Sequence, residues 1–481
     1  MRSLRERPPV RNERWDDDRF RAYQDALLSS YRTGAEIDMA EIADYHRRVV
    51  TDRNFPEAYR AAREQGKILL QPRFGHALVD YMIEGMRELV EQGTADLLTW
   101  SCDTYTRRLE FEIAEEAVAR SIEEGRSHLN GFPAAIYGVD TTRRVAEAAL
   151  RPVAGRGATG TPGFYNTIMV AGGATEFNGS ALSFALNVEA RQAIASAIEN
   201  AQYVDRMLGW LTENGAKVSK ESSTIVSGTI VPPSCAVVCG VLEILLAAEQ
   251  GVRHHGVLYP VNSSIVQDVA AIGVLRELTR TYADRAGHED CEIAVGIHQW
   301  LGPFPPDRDR ALGRISFDTV VAALARADKI LVKSPEEGFG TPTKEGTIEG
   351  LKATRQVLDL MAGQELTHSA EVEEEAHYIR REATAILDAV AELGDGDHAV
   401  GVVEAFDQGV IEFPFSVNEN NRGRALCARD AAGAVRYLDT GSLPFDREIV
   451  DFHRRKLRSR VEATAGDEYE LVIQDIRAEL R

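Results

Sequence analysis

Residues 67–100 read KILLQPRFGHALVDYMIEGMRELVEQGTADLLTW, and their periodicity changes twice. A short apolar run, KILLQ at Lys67–Gln71, comes first. MIEGMRELVEQG follows, with apolar residues at helical spacing, and ADLLTW at Ala95–Trp100 makes a second short apolar run. The helical stretch closes on Gly93, a normal helix stop. Strand, helix and strand in that order form the unit of a parallel sheet.

The alternation continues downstream. Ser127–Gly131 (SHLNG), Leu150–Gly155 (LRPVAG), Ser223–Thr229 (STIVSGT), Gly256–Pro260 (GVLYP), Cys291–Ile297 (CEIAVGI) and Lys329–Lys333 (KILVK) read as six further strands. Helical patterns such as LEFEIAEEAVARSIEEG and VLEILLAAEQG separate them. Eight strands alternating with helices predict an α/β chain folded as a (β/α)8 barrel of the TIM type rather than an open doubly wound sheet. Residues 1–65 are expected to form an N-terminal helical extension, 66–364 the barrel, and 365–481 a C-terminal accessory region. Within the barrel, 157–222 reads as an insertion carrying the Gly-rich AGGATEFNGS.

Composition narrows the function. The 481 residues are 44% hydrophobic and 27% charged, which suits a large globular core. A formal net charge of −20 argues against nucleic-acid and anionic-membrane partners. Any anionic ligand must then be held by local arginines. The five cysteines (Cys102, Cys235, Cys239, Cys291, Cys427) are scattered and read as buried thiols of a reducing, cytoplasmic protein. Metal ligands are not expected in this chain. The opening MRSLRERPPVRNERW is basic without an apolar stretch, so no signal peptide is expected.

The chemistry collects where the strands end. Arg73 follows KILLQP, Arg107 follows ADLLTW closely, Asn130 stands at the end of the third run, SHLNG, just before Gly131, and Arg156 follows LRPVAG. Strand C-termini converge on the mouth of such a barrel. Arginines crowded there repel one another unless an anion lies between them, and each can grip a carboxylate with two parallel hydrogen bonds. Lys333, with Glu337 four residues on, reads either as a Schiff-base lysine or as a structural ion pair. His298 reads as a general acid or as a packed loop histidine.

The chain also resembles a known family, the large (epsilon) subunit of glutamate mutase, or methylaspartate mutase. QPRFG at 71–75, DTYTRR at 103–108, LNGFP at 129–133, SGTIVPPS at 227–234, LLAAEQGV at 245–252, HQWLGPFP at 298–305, LVKSPEEGFGTPTKE at 331–345 and VRYLDTGSLPF at 435–445 carry the likeness. The resemblance implies a radical isomerase that rearranges a carbon skeleton with adenosylcobalamin. It implies an arginine claw for substrate carboxylates at Arg73, Arg107 and Arg156. It implies adenosyl contacts at Gly75, Asn130, Phe304, Lys333 and Glu337, with Lys329 nearby. The cobalt ligand of the family comes from a small partner carrying D-x-H-x-x-G. No such motif occurs here: Asp44-Tyr45-His46 lacks the glycine, and His128 and His398 lack the aspartate. A small cobalamin-binding partner, a pairing of large chains and a heterotetramer are therefore expected.

The Gly-rich stretch departs from that family. The positions that hold the substrate's ammonium and a carboxylate there, a glutamate and two tyrosines, align with Asn178, Phe184 and Val188. A histidine beside the third arginine becomes Gly157, and an adenosyl-contacting proline becomes Asn187. A buried ammonium without its counter-charge costs several kcal/mol. The departures imply a small carboxylate substrate that is not, or not efficiently, L-glutamate, unless Glu176 reaches in as the replacement. Two other readings are a cobalamin-independent barrel enzyme using Lys333 and a non-catalytic carboxylate-binding subunit.

Overall fold

The computed structural model describes residues 10–225, 230–364, 369–464 and 467–479. One parallel sheet holds eight strands: β1 Leu69–Pro72, β2 Leu98–Ser101, β3 Val153–Arg156, β4 Glu176–Asn178, β5 Ser219–Ser223, β6 His254–Pro260, β7 Glu292–His298 and β8 Lys329–Val332. They lie side by side in chain order, and β1 pairs with β8, Leu69 opposite Lys329. The remaining seam, between β1 and β2, is bridged by backbone bonds from Asp96 N and Leu97 N to Leu70 O (3.0 and 3.1 Å) and from Ser101 N to Phe74 O (2.8 Å). The sheet thus comes round on itself, with helices outside it. This is the (β/α)8 architecture the alternation required.

Two strand assignments change. SHLNG is no strand: Ser127 Oγ turns back on Leu129 O at 2.7 Å, and the loop is tied to the end of β2 through Phe132 N to Ser101 O at 2.7 Å. In its place β4 runs through Glu176–Asn178, inside the stretch read as an insertion, which is barrel wall. β5 begins at Ser219, ahead of the STIVSGT run, of which residues 226–229 lie outside the described residues. Both misplacements share a cause. The inward-facing residues of β4 and β5 include Glu176 and Glu221, fully buried acids, and a hydropathy pattern does not mark a strand that points charge inward.

The helix Phe55–Glu64 crosses the N-terminal end of the barrel. Its Phe55 and Tyr59 pack with Leu69, Leu97, Ala154 and Ala294 from the strands' beginnings. Their rings lie 5.2 and 5.5 Å from Lys329 Nζ, so this end is plugged by aromatic surface over a cation. Two glycines make room for the charged interior. A Cβ at Gly296 would meet Lys329 Cγ at 2.7 Å and Lys329 O at 2.8 Å, and one at Gly256 would meet Glu176 Oε2 at 3.1 Å. Beyond the barrel, the helix Ala370–Leu393 packs on the helix Ile265–Arg285, and a hairpin of β9 Leu426–Arg429 and β10 Val435–Asp439 follows. All five cysteines are buried and free. Among the described residues, no helix is long and apolar enough to cross a membrane.

Candidate active site

The open, C-terminal end of the barrel gathers most of the residues singled out by the sequence. Arg73 directly follows β1, Arg107 lies on the short helix Thr104–Arg107 after β2, and Arg156 ends β3. Asn178 ends β4, His298 ends β7, and Lys333 follows β8. Arg73, Gly75, Ser101, Asn130 and Glu337 line one cavity of about 360 Å³. Larger hollows elsewhere, such as one of about 590 Å³ beside the helix Arg447–Ala463, lie away from the strand ends. Asn130 reaches this mouth by a route the sequence did not show. It stands on the loop over β2, where its Oδ1 accepts from Thr104 N at 2.9 Å. The helix bearing Arg107 starts there because Asp103 accepts from Tyr105 N and Thr106 N, both at 3.0 Å.

Below the mouth runs a continuous polar network. Arg156 is ion-paired with Glu221. Asn178 Nδ2 donates to Glu221 Oε1 at 2.9 Å and to Ser223 Oγ at 3.2 Å. Glu221 Oε2 accepts from Lys329 Nζ at 2.6 Å, and the same ammonium donates to Glu176 at 2.5 Å and Gln71 Oε1 at 2.8 Å. Glu176 also takes Tyr59 OH at 2.7 Å and Ser219 Oγ at 3.3 Å. Two acids and two cations are thus stacked inside the barrel, each charge matched, as burial demands. Burial and the Arg73 charge lower Arg156 to about 9. Burial lowers Lys329 to about 8, with Arg156 adding to the effect and Glu176 opposing it.

Nearer the solvent, Lys333 Nζ donates to Glu337 at 2.7 Å and lies 5.7 Å from the Phe304 ring. Burial, then Arg73, lower Lys333, while Glu337 opposes them. Burial raises Glu337, but Lys333 and Arg73 outweigh it and hold the carboxyl below its usual range. His298 is buried, and burial together with Lys333, Arg156 and Arg73 keeps it neutral, far below the ordinary histidine range. Arg73 has no ion pair among the described residues, and Arg107 donates only to Thr104 Oγ1 at 3.2 Å. Three arginines and a lysine therefore meet at a mouth in which two of the guanidiniums hold no ion pair among the described residues.

Several expected residues lie otherwise. Lys329 sits at the closed end, its three hydrogen bonds filled by Gln71, Glu176 and Glu221, so it does not reach the mouth. Glu176 is committed to Lys329 and Tyr59 and leaves nothing for a ligand. Phe184, Asn187 and Val188 share the helix Ala181–Val188 after β4: Phe184 is buried, Val188 is 37% exposed, and Asn187 Nδ2 donates to Ser183 O at 2.7 Å. That helix is held at both ends. Glu243, buried with Lys220 and Asp205, accepts from Ala181 N and Leu182 N (3.2 and 2.8 Å). At its end Val417 N and Ser416 Oγ donate to Leu186 O (3.1 and 2.6 Å), and Asn418 Nδ2 donates to Ala185 O, Glu189 O and Gln192 O.

Sequence reasoning missed Glu221, Tyr59 and Tyr165. Tyr165 OH donates to Gly157 O at 2.5 Å, and the charges of Arg107 and Arg156 both bear on the phenol. A Cβ at Gly157 would lie 3.2 Å from its Cζ and hydroxyl, so Tyr165 fills the space a side chain there would need. Among the described residues no group of three His, Cys, Asp or Glu side chains is placed to hold a metal.

Comparison with known proteins decides the kinship of this mouth. The family model described as "Methylaspartate mutase E chain (MutE)" matches residues 50–479. The chain belongs to the methylaspartate mutase E chain family. Curated relatives named glutamate mutase epsilon subunit agree across nearly the whole length. That of Treponema denticola is 38% identical over 469 residues, covering 97% of each chain. That of Desulfitobacterium hafniense is 38% identical over 468 residues with the same coverage. That of Escherichia coli O157:H7 is 36% identical over 471 residues, 98% of each chain. As a member of the methylaspartate mutase E chain family, the chain is the catalytic subunit of an isomerase, a carbon-skeleton mutase.

Proposed function

We propose that the chain is the large subunit of an adenosylcobalamin-dependent carbon-skeleton mutase acting on a small carboxylate that is not, or not efficiently, L-glutamate. The observation that supports this most is the pair of mouth arginines, Arg73 and Arg107, which hold no ion pair among the described residues, beside the buried Arg156. Guanidiniums so arranged are a carboxylate grip waiting for its anion. Asn178 stands where the curated family's resemblance calls for an acid, and its amide is spent on Glu221 and Ser223.

The residues around the cavity suit an adenosyl group. Glu337 offers carboxylate acceptors for ribose hydroxyls, Phe304 an aromatic face, and Asn130 an amide. Gly75, which lines the cavity, lets the loops after β1 and β2 close together: a Cβ there would meet Ser101 O at 2.6 Å and Gly131 Cα at 2.9 Å. Gly75, Asn130, Asn187, Phe304, Lys333 and Glu337 would hold the group, and Lys329 would act only from beneath, by holding Glu221 and Glu176. When bound, the cofactor supplies the radical chemistry. This chain's residues grip the carboxylates, orient the carbon skeleton and keep water from the reacting carbons. With no D-x-H-x-x-G in the sequence, the cobalt ligand is assigned to a small partner subunit, in a heterotetramer built on paired large chains. The ion pair with Glu337 occupies the Lys333 amine, which disfavours a Schiff base there.

The test is electron paramagnetic resonance on the two subunits mixed with adenosylcobalamin. A cob(II)alamin signal that grows when a small dicarboxylate is added is the expected result. Silence with every dicarboxylate offered, from a complex shown to be assembled, overturns the proposal. Turnover of L-glutamate at rates usual for the family overturns its substrate half.

A further inference from the structure

We infer that the ligand of this mouth is a dicarboxylate bearing a hydroxyl, and no ammonium, on the carbon next to one carboxylate. This rests on reading the mouth as a carboxylate site and goes on to specify the substituent. The first ground is the inventory of charge. Glu221, Glu176, Glu337, Asp103 and Glu189 each already have a cation or hydrogen-bond donors of their own. Glu221 is held by Arg156 and, at 2.6 Å, by Lys329. Glu176 is held by Lys329 at 2.5 Å and Tyr59 at 2.7 Å, at the closed end. Glu337 is held by Lys333 at 2.7 Å. Asp103 spends Oδ1 on two helix amides, and its Oδ2 is sealed from the mouth without a donor. Glu189, beyond Val188, accepts from Gly160 N at 3.1 Å. Arg73 and Arg107 are the cations among these residues that hold no ion pair, and Glu337, which Arg73 also faces across the cavity, is already paired with Lys333. Two carboxylates match them. An ammonium on the same ligand would enter a lining with no anion to spare, and an unpaired buried charge is strongly disfavoured.

The second ground is Asn178, beside the Arg156–Glu221 pair. Its Nδ2 points at Glu221 Oε1 (2.9 Å) and Ser223 Oγ (3.2 Å), and a carboxylate can only accept, so the amide orientation is fixed. Oδ1 then accepts from no described residue, and it is not among the sealed atoms. A carbonyl oxygen left open asks for a donor, and in a lining that already has surplus positive charge a donor that adds none is favoured. A hydroxyl supplies one proton and no charge.

Isothermal titration of the full-length chain with glutarate, 2-hydroxyglutarate and L-glutamate isolates the substituent, since the three differ only there. The expected order places 2-hydroxyglutarate first, at least about tenfold tighter than L-glutamate, with Arg73→Ala weakening the binding of the dicarboxylates some thirtyfold. In Asn178→Ala the preference of 2-hydroxyglutarate over glutarate should vanish while both still bind. L-glutamate binding as tightly as 2-hydroxyglutarate, or glutarate matching it in the unaltered chain, overturns the inference and leaves the carboxylate site standing. No binding of any of the three overturns the carboxylate site itself.

Discussion

Arg73 and Lys329 are both cations of one barrel, yet their surroundings assign them opposite jobs. Arg73 is exposed to the mouth and holds no ion pair among the described residues, so its removal subtracts a ligand contact and little else. Arg73→Ala should weaken dicarboxylate binding by about 2 kcal/mol, some thirtyfold, while the melting temperature stays put. Lys329 is 1% exposed and neutralises two acids. Lys329→Met leaves Glu176 and Glu221 sharing only Arg156, and should cost about 3–5 kcal/mol of stability, read as a large fall in denaturant midpoint. Equal effects of the two variants on stability would contradict the division. At this scale the sequence was partly legible. Arginines after apolar runs could be placed at strand ends, because strand ends are local. Glu221 could not, since its meaning lies in Arg156, sixty-five residues away across two strand registers.

Elements tell the same story of local and non-local information. Six of the eight strands were visible as apolar runs, to within a few residues of their bounds. β4 was hidden because three residues, Glu176 to Asn178, carry two polar side chains needed inside. β5, Ser219–Ser223, is polar throughout. The SHLNG run deceived because it buries Leu129 and Gly131 around an exposed Asn130, the alternation of a strand, while lying as a loop over a strand end. The helix Ala181–Val188 adds a device no pattern reveals, since the carbonyls at its end are met by Ser416, Val417 and Asn418, more than two hundred residues on. A helix end left without such partners costs roughly 1–3 kcal/mol per lost buried contact. Asn418→Ala should therefore raise KM for the substrate more than it lowers kcat, because it loosens the wall of the pocket and spares the arginines. A fall in kcat alone would argue that this segment does not position the helix.

Across the whole molecule, the helix Phe55–Glu64 closes the barrel's lower end, while the helices before it pack on helices outside the strands, an attachment expected to be pH-sensitive. His46, on the helix Met39–Arg48, has Nε2 bonded to Val170 O at 2.8 Å and is fully enclosed. Burial, with the Arg143 charge adding to it, lowers its pKa from 6.5 to about 4, against the backbone bond and Glu41. Between those values the unfolded chain binds the proton and the folded one does not, so stability contributed here is full above pH 6.5 and is lost as the pH falls toward 4. The loss at pH 5 should be about 2 kcal/mol, and His46→Gln should remove that part of the slope between pH 7 and pH 5. An unchanged slope in the variant would assign the acid sensitivity elsewhere. The same global view joins the plug to the chemistry: Tyr59 below holds Glu176, which with Glu221 holds Lys329, and Glu221 holds Arg156 at the mouth. The claim on which all of this depends is that the mouth arginines together grip one dianion. A crystal structure of the chain with 2-hydroxyglutarate tests it most directly. The account predicts the two carboxylates within hydrogen-bond reach of Arg73, Arg107 and Arg156 at the C-terminal rim. Ligand density away from that rim, or guanidiniums turned apart with the dianion bound elsewhere, would contradict it.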